Sequence, residues 1–481
     1  MAVDYDLVII GSSWAGIYAA KNACQLQARV ALVTQTEELY LPNTLLLNQS
    51  LAELGRFNDQ QQNSFWLATE NIINLDDPEA FNWIQGIKTD VQNLNSLAYL
   101  SALGVDVIVG CGEFYRLPRL GFKVGKRDLR SRNYLLATGT ICGSIFERDL
   151  DPKNYLTPKD LQTKQLVNLP HKLLIIGSEP TALELAQALV RLGKQVTLIC
   201  ERSRILPQED LDISSLIQAQ LEAEGIKIFI NTKVSQIKVI DNQKWVQAGN
   251  RALSADQIIV VNHRQPNVAG LNLAGVKVKY NSQKVLVNQK LQTTNSRIYA
   301  CGDLIGGYNL ANITRYEINL ILKNTLFLNR YKTNYHTVPW AIYTQPNLVR
   351  VGLNESQAKR QYFEDFLVVK QYFKLIDQAQ ILDRTTGLCK FIIKQNGELL
   401  GCSIVGDRAI ELVGIPTLMI QHKIKLDRNP MRGITSLSLP TIYPSMAEIL
   451  TQVSHDFYQQ KIQRNHRLLN RLKTWFSRRK K

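Results

Sequence analysis

Two stretches of this 481-residue chain align with each other without a gap. Residues 6 to 34, DLVIIGSSWAGIYAAKNACQLQARVALVT, match residues 172 to 200, KLLIIGSEPTALELAQALVRLGKQVTLIC, at a constant offset of 166 and with nine identities. Each copy runs from an apolar stretch through a glycine turn into apolar residues at helical spacing and then a second apolar stretch, the pattern of a βαβ unit. A chain that carries this pattern twice is constrained to two parallel sheets, each with a turn shaped for a dinucleotide. In such a turn the first glycine permits the bend, the second lets backbone approach a pyrophosphate, and the third allows close packing of the helix. The helix N-terminus attracts the phosphates. These positions are Gly11, Ser13 and Gly16 in the first copy and Gly177, Glu179 and Ala182 in the second. Serine adds a small polar group, whereas glutamate brings negative charge toward a negative ligand, so the second site is the more compromised.

The length suits roughly three domains. No apolar run approaches the roughly 20 residues of a membrane span, and the N-terminus enters a strand-like run with no basic segment ahead of it, so neither a span nor an export signal is expected and the reading is cytoplasmic. The seven cysteines, at 24, 111, 142, 200, 301, 389 and 402, stand singly. Neither they nor the six histidines show the spacing of a metal site.

Half of the formal charge of +16 is concentrated at one end, because residues 456 to 481 hold nine Lys/Arg and one Asp. A nucleic-acid partner is therefore not expected for the main body. In the tail KIQRNHRLLNRLKTWFSRRKK, helical phasing places Leu468, Leu469, Leu472, Trp475 and Phe476 on one face, flanked by Arg464, Arg467, Arg471 and Arg478. Two readings stand, with a nucleic-acid contact a distant third: a basic amphipathic helix that lies on an anionic membrane, and a helix packed on a dimer with a solvated charged rim.

Further motifs, NYLLATGT (133 to 140), QIIVVNHRQPN (257 to 267) and RIYACGDLIGG (297 to 307), resemble in order and spacing those of the pyridine nucleotide-disulfide oxidoreductase family, which includes glutathione reductase, dihydrolipoamide dehydrogenase and mercuric reductase. The stretch 335 to 448 resembles that family's C-terminal dimerisation domain, through YTQPNLVRVGL, IVGDRAIELV and LPTIYPSMAEIL. The resemblance covers about residues 4 to 452. It implies an α/β protein with two Rossmann-like domains, one inserted in the other, and a C-terminal α+β domain. The implied boundaries are 1–148 with 266–332 for FAD, 149–265 for NAD(P), 333–455 for dimerisation and 456–481 for the tail. It further implies a homodimer, with FAD held by Gly11, Ser13, Gly16, Thr34, Ala137, Thr138, Gly139 and Asp303. NAD(P) falls to Gly177, Glu179, Ala182, Glu184, Arg202 and Arg264.

Several residues that the family's chemistry uses are replaced. Thr34 stands where an acidic residue takes the adenosine ribose, and a hydroxyl lacks the two charge-assisted acceptors of a carboxylate. In VTQTEELYLPNTLLLNQSLAELG (33 to 55), Pro42 is kept, but Tyr40 takes the place of the flavin-facing cysteine, Thr44 that of a lysine, and the first cysteine falls in a shortened loop. Disulfide exchange needs a thiolate, which neither residue supplies. Near the C-terminus Tyr443, Pro444 and Glu448 occupy the places of histidine, proline and glutamate. A phenol with an ordinary pKa near 10 is a poor base at neutral pH. Glu184 matches the glutamate near the nicotinamide, and Glu184, Tyr443 and Glu448 are the catalytic candidates. Cys200 occupies the place of the acid that holds the ribose in NAD enzymes, followed by Glu201, Arg202, Ser203 and Arg204. Arginines suit a 2′-phosphate and Glu201 repels one, so NAD and NADP both stay open.

Two functions follow from different classes. One is a flavoenzyme that oxidises NAD(P)H without a redox disulfide and reduces a small non-thiol acceptor such as a quinone. The other is a non-catalytic FAD-binding dimer on the same scaffold. A cysteine recruited from elsewhere is the third possibility.

Overall fold

The computed structural model describes residues 3–35, 43–63, 78–93, 95–142, 154–158, 160–162, 166, 168–240, 243–261, 264–307, 310–426, 441–464 and 466–479; of 43–46, 59–63, 142, 162, 466–468 and 472 only the backbone is described. The chain divides into two compact units, one of residues 1–202 with 225–333 and the other of 203–224 with 334–481.

The repeat is reproduced element for element in the first unit. Strand Tyr5–Ile10, helix Trp14–Gln25 and strand Val30–Thr34 form one copy. Strand Lys172–Ile176, helix Pro180–Arg191 and strand Gln195–Ile199 form the other. Leu7 lies opposite Val30 and Leu173 opposite Val196, so the offset of 166 holds in the strand register as well. Both strand cores are β-branched or leucine and sit on a sheet covered by helix, where continuous apolar runs belong. Leu7, Val8 and Ile9 are fully buried, as is Ile175.

The first sheet has five parallel strands in the order Ile298–Ala300, Ser131–Leu136, Tyr5–Ile10, Val30–Thr34, Asp106–Val109. The second has four parallel strands in the order Lys227–Phe229, Gln195–Ile199, Lys172–Ile176, Gln257–Val260. A short antiparallel pair, Thr140–Cys142 with Arg264–Pro266, lies where the chain leaves the first Rossmann fold and returns to it. The helix Asn43–Asn63 packs along Pro180–Arg191, closely enough that a Cβ on Gly55 would come within 2.9 Å of Arg191 Cβ.

The second unit is built on an antiparallel sheet in the order Trp340–Ile342, Asn347–Gly352, Leu399–Gly406, Leu388–Lys394, Phe366–Tyr372. Helix Glu448–Arg464 buries Ile449, Leu450, Val453 and Phe457 in its core. The second compact unit also takes in the helix Leu211–Ala223. Buried charge fastens it there. Arg350 Nε lies 3.0 and 3.1 Å from the two carboxylate oxygens of Glu209. Lys390, 1% exposed at its side chain, is held by Glu355 at 2.8 Å, Asp210 at 2.9 Å and Asp212 at 3.1 Å.

Candidate functional site

The first phosphate turn tolerates only glycine at its two ends. Gly11 has φ +109°, and a Cβ there would meet the Ala137 carbonyl oxygen at 2.5 Å. A Cβ on Gly16 would stand 1.9 Å from the Gly11 carbonyl oxygen. Ser13, between them, is the N-cap of helix Trp14–Gln25, yet its hydroxyl turns away from the helix and donates to the Ala137 carbonyl at 2.6 Å. The side chain that replaces the middle glycine is thus folded onto the neighbouring strand end, and the helix amides keep their approach to an anion.

The motif 133–140 is tied to the motif 257–267, as Thr138 Oγ1 donates to the Asn267 carbonyl at 2.6 Å and Asn267 N donates to the Gly139 carbonyl at 3.0 Å. Gly139, at φ +66°, faces open space on its Cβ side. Asp303 begins the turn after the strand Ile298–Ala300, where Gly302 at φ +66° donates its amide to buried Glu317 at 2.7 Å. Arg264 Nη1 lies 3.0 Å from Asp303 Oδ2. The residue assigned from the sequence to NAD(P) therefore sits beside the aspartate assigned to FAD. Thr34 is buried, and its hydroxyl shares a 2.6 Å hydrogen bond with Ser12 Oγ, so it is engaged inside the protein.

The second turn keeps the backbone of the first and changes its electrostatics. Gly177 donates its amide to Ile199 at 3.0 Å, as Gly11 does to Val33 at 2.9 Å. Glu179 is the N-cap, is exposed, and makes no side-chain capping bond; Pro180 opens the helix. Ala182 is fully buried. Glu184 is buried rather than solvated and accepts a hydrogen bond from Asn48 Nδ2 at 3.3 Å. Cys200 is fully buried, its thiol pKa pushed up by that burial, and it offers nothing to a ribose at the surface. Glu201 and Arg202 are exposed, whereas Arg204 donates to the carbonyls of Pro207 and Glu209.

In the second unit Tyr443 is 70% exposed and donates to Asp377 Oδ2 at 2.7 Å. The Asp377 carboxylate raises the phenol's pKa above its ordinary value. Glu448 Oε1 accepts from the Ser445 amide at 2.9 Å, closing the first turn of its own helix. The structure thus gives Tyr443 and Glu448 separate partners. Tyr40 and Pro42 lie outside the described residues, and position 44 is described only as part of the helix Asn43–Asn63.

The sequence pattern of the pyridine nucleotide-disulphide oxidoreductases matches residues 5–317, and that of their dimerisation domain matches 338–453. The chain belongs to this family. It is 28% identical to mercuric reductase of Staphylococcus aureus over 88% of this chain and 78% of that protein. Its identity to a dihydrolipoyl dehydrogenase of Bacillus subtilis (strain 168) is also 28%, over 88% of this chain and 93% of the relative. The solved Cu(II) complex of the HOCl-induced flavoprotein disulfide reductase RclA from Escherichia coli shares the fold with a TM-score of 0.77. It is 23% identical and spans 95% of this chain and 99% of that one.

Pyridine nucleotide-disulphide oxidoreductases depend on FAD and take electrons from NAD(P)H. The first turn fits such a flavin: the glycines that only a close backbone approach explains are present, Ser13 is folded aside, and Asp303 offers carboxylate oxygens to sugar hydroxyls. What the turn lacks is an acid at position 34. Sequence reading missed the partners that decide these roles, namely Ser12 for Thr34, Asn48 for Glu184, Glu317 for Gly302 and Asp377 for Tyr443. Asn48 alone carried a signal, since it lies one helical turn beyond position 44 in the same helix.

Proposed function

We propose that the protein oxidises NAD(P)H through bound FAD without a redox disulfide and delivers the electrons to a small non-thiol acceptor such as a quinone. The observation that carries this reading is the absence of any cysteine between Cys24 and Cys111, the stretch that includes the whole helix Asn43–Asn63 and the segment before it. A thiol-disulfide relay on that helix would have no sulfur to work with. Bound flavin would supply the capacity to accept a hydride and release its electrons.

The chain's own residues do the rest. Gly11 and Gly16 would admit the pyrophosphate, Ala137, Thr138 and Gly139 form the adjoining turn, and Asp303, paired with Arg264, would take a sugar hydroxyl. Glu184, held by Asn48, would position the nicotinamide side. Tyr443, with its pKa raised by Asp377, keeps its proton at neutral pH and supplies no base for thiol chemistry. The protein acts as a homodimer in the cytoplasm.

Anaerobic titration with NADH and with NADPH, followed by a quinone, tests this directly. Bleaching of the flavin absorbance and its return on adding quinone are expected. Flavin that neither nucleotide bleaches would favour the second reading, a non-catalytic FAD-binding dimer, which the exposed Glu179 carboxylate at the second phosphate turn supports.

A further inference from the structure

The C-terminal tail has no counterpart in the matched family domains, which end at residue 453. In it, helix His466–Arg478 follows directly on helix Glu448–Arg464. We propose that this last helix is a docking surface for an anionic lipid bilayer, with its apolar face inserted at the headgroup boundary and its basic flanks on the lipid phosphates. The inference stands apart from the electron-transfer reading and neither needs the other.

Three observations carry it. Trp475 and Phe476 are 47% and 54% exposed, and their rings meet edge to face at 5.1 Å, so two large aromatic side chains form a continuous exposed patch at the helix end. The guanidinium of Arg479 stacks over the Trp475 ring, 4.0 Å from its centroid, so a cation is carried on the aromatic patch itself. The charge is of one sign, since residues 457–481 hold nine Lys/Arg and no Asp or Glu.

Helical phasing puts Lys473 on one side of the aromatic patch and Arg471 and Arg478 on the other. An exposed apolar stripe between two basic borders fits a surface that is apolar below and anionic above, which is the layering of a bilayer interface. A nucleic acid would meet the charges but leave Trp475 and Phe476 in water. No helix among the described residues is long and apolar enough to cross a membrane.

The test uses the full-length protein and sedimentation with vesicles of phosphatidylcholine alone or of equal phosphatidylcholine and phosphatidylglycerol. Binding is expected only to the anionic vesicles at low salt, with partial release at about 0.5 M NaCl. Changing Arg471, Arg478 and Arg479 together to Gln should weaken partitioning about a hundredfold, each such residue near an anionic surface being worth about fivefold. The double variant Trp475→Ser/Phe476→Ser should lose the binding that survives high salt, with flavin content and thermal unfolding unchanged. Failure of the wild-type protein to bind anionic vesicles overturns the proposal. So does a double variant that binds them as tightly as wild type and is displaced equally by DNA, which would mark a polyanion site. A fall in light-scattering mass for the double variant would assign the face to a second copy of the chain and overturn it too.

Discussion

The two βαβ copies share one backbone and have diverged in what their turns present. At the first turn the replaced middle glycine, Ser13, bonds to Ala137 and leaves the helix N-terminus accessible; at the second, Glu179 remains exposed with its charge at the equivalent point. The residues that close or follow the second strands are both engaged inside the protein: Thr34 shares a hydrogen bond with Ser12, and Cys200 is buried. The copies part again beyond those strands. The chain after the first enters helix Asn43–Asn63 in the same unit, whereas the chain after the second enters helix Leu211–Ala223, which belongs to the C-terminal unit. Register and helix length are set by apolar packing and survive; ligand chemistry rests on a few side chains at the turns and does not constrain the core.

The largest effect is expected where the second copy's continuation is fastened. Arg350→Met leaves Glu209 as a buried acid without its cation, and the cost in the unfolding of the C-terminal unit by denaturant should grow as pH rises above about 7, to about 3 kcal/mol. The double change Glu209→Leu/Arg350→Met should recover most of that loss. Burial pushes Glu209 up to about 7 against the opposing pull of Arg350, from an ordinary 4.5. The native state therefore favours the protonated acid. Its contribution is fully present below about pH 4.5 and is lost as pH rises through about 7, an interval worth on the order of 3 kcal/mol. Glu209→Gln should flatten that part of the stability-pH curve. An unchanged slope would mean that this clasp does not titrate.

Next comes the turn glycine that only the first copy retains. Gly16→Ala forces a Cβ to 1.9 Å from the Gly11 carbonyl oxygen, while the second copy already accommodates Ala182. The backbone must shift, at a cost of about 1–3 kcal/mol, and FAD affinity should fall about a hundredfold, equivalent to about 2.7 kcal/mol. Flavin fluorescence titration measures this. Ala182→Gly should leave FAD binding untouched, and a matching loss there would break the distinction between the copies.

Much of this was legible because gapless internal similarity transmits both strand register and helix ends: the helices Trp14–Gln25 and Pro180–Arg191 differ by the same 166 residues as the sequences do. The turn positions were legible for the same reason. What the sequence did not disclose is who partners whom across long separations. Glu184 matches the glutamate near the nicotinamide, but its burial and its partner Asn48, 136 positions away, were not visible. Arg264 lies within the motif 257–267 at the end of the second fold, but a 3.0 Å ion pair ties it to Asp303 and so to the first. Helix Leu211–Ala223 has the sequence of any amphipathic helix, and only the buried ions at Arg350 and Lys390 reveal which unit holds it.

The smallest and most discriminating effects belong to the two middle positions of the turns. Glu179→Gly removes a negative charge from a helix N-terminus that should receive a diphosphate, and the apparent affinity for NAD(P)H should rise about tenfold at low ionic strength and less in salt. Ser13→Gly should do far less, because its hydroxyl is already bonded to Ala137 and does not stand in the phosphate path. Loss of that bond lowers stability by about 1 kcal/mol, with FAD affinity changed by no more than about threefold. Isothermal titration of both variants with both nucleotides reads the contrast. If Ser13→Gly sharply tightens FAD, the serine obstructs the first turn as the glutamate does the second, and the two copies are impaired in the same way. If Glu179→Gly leaves NAD(P)H binding unchanged while wild type binds it, the exposed carboxylate points clear of the ligand, and the distinction drawn from its charge fails.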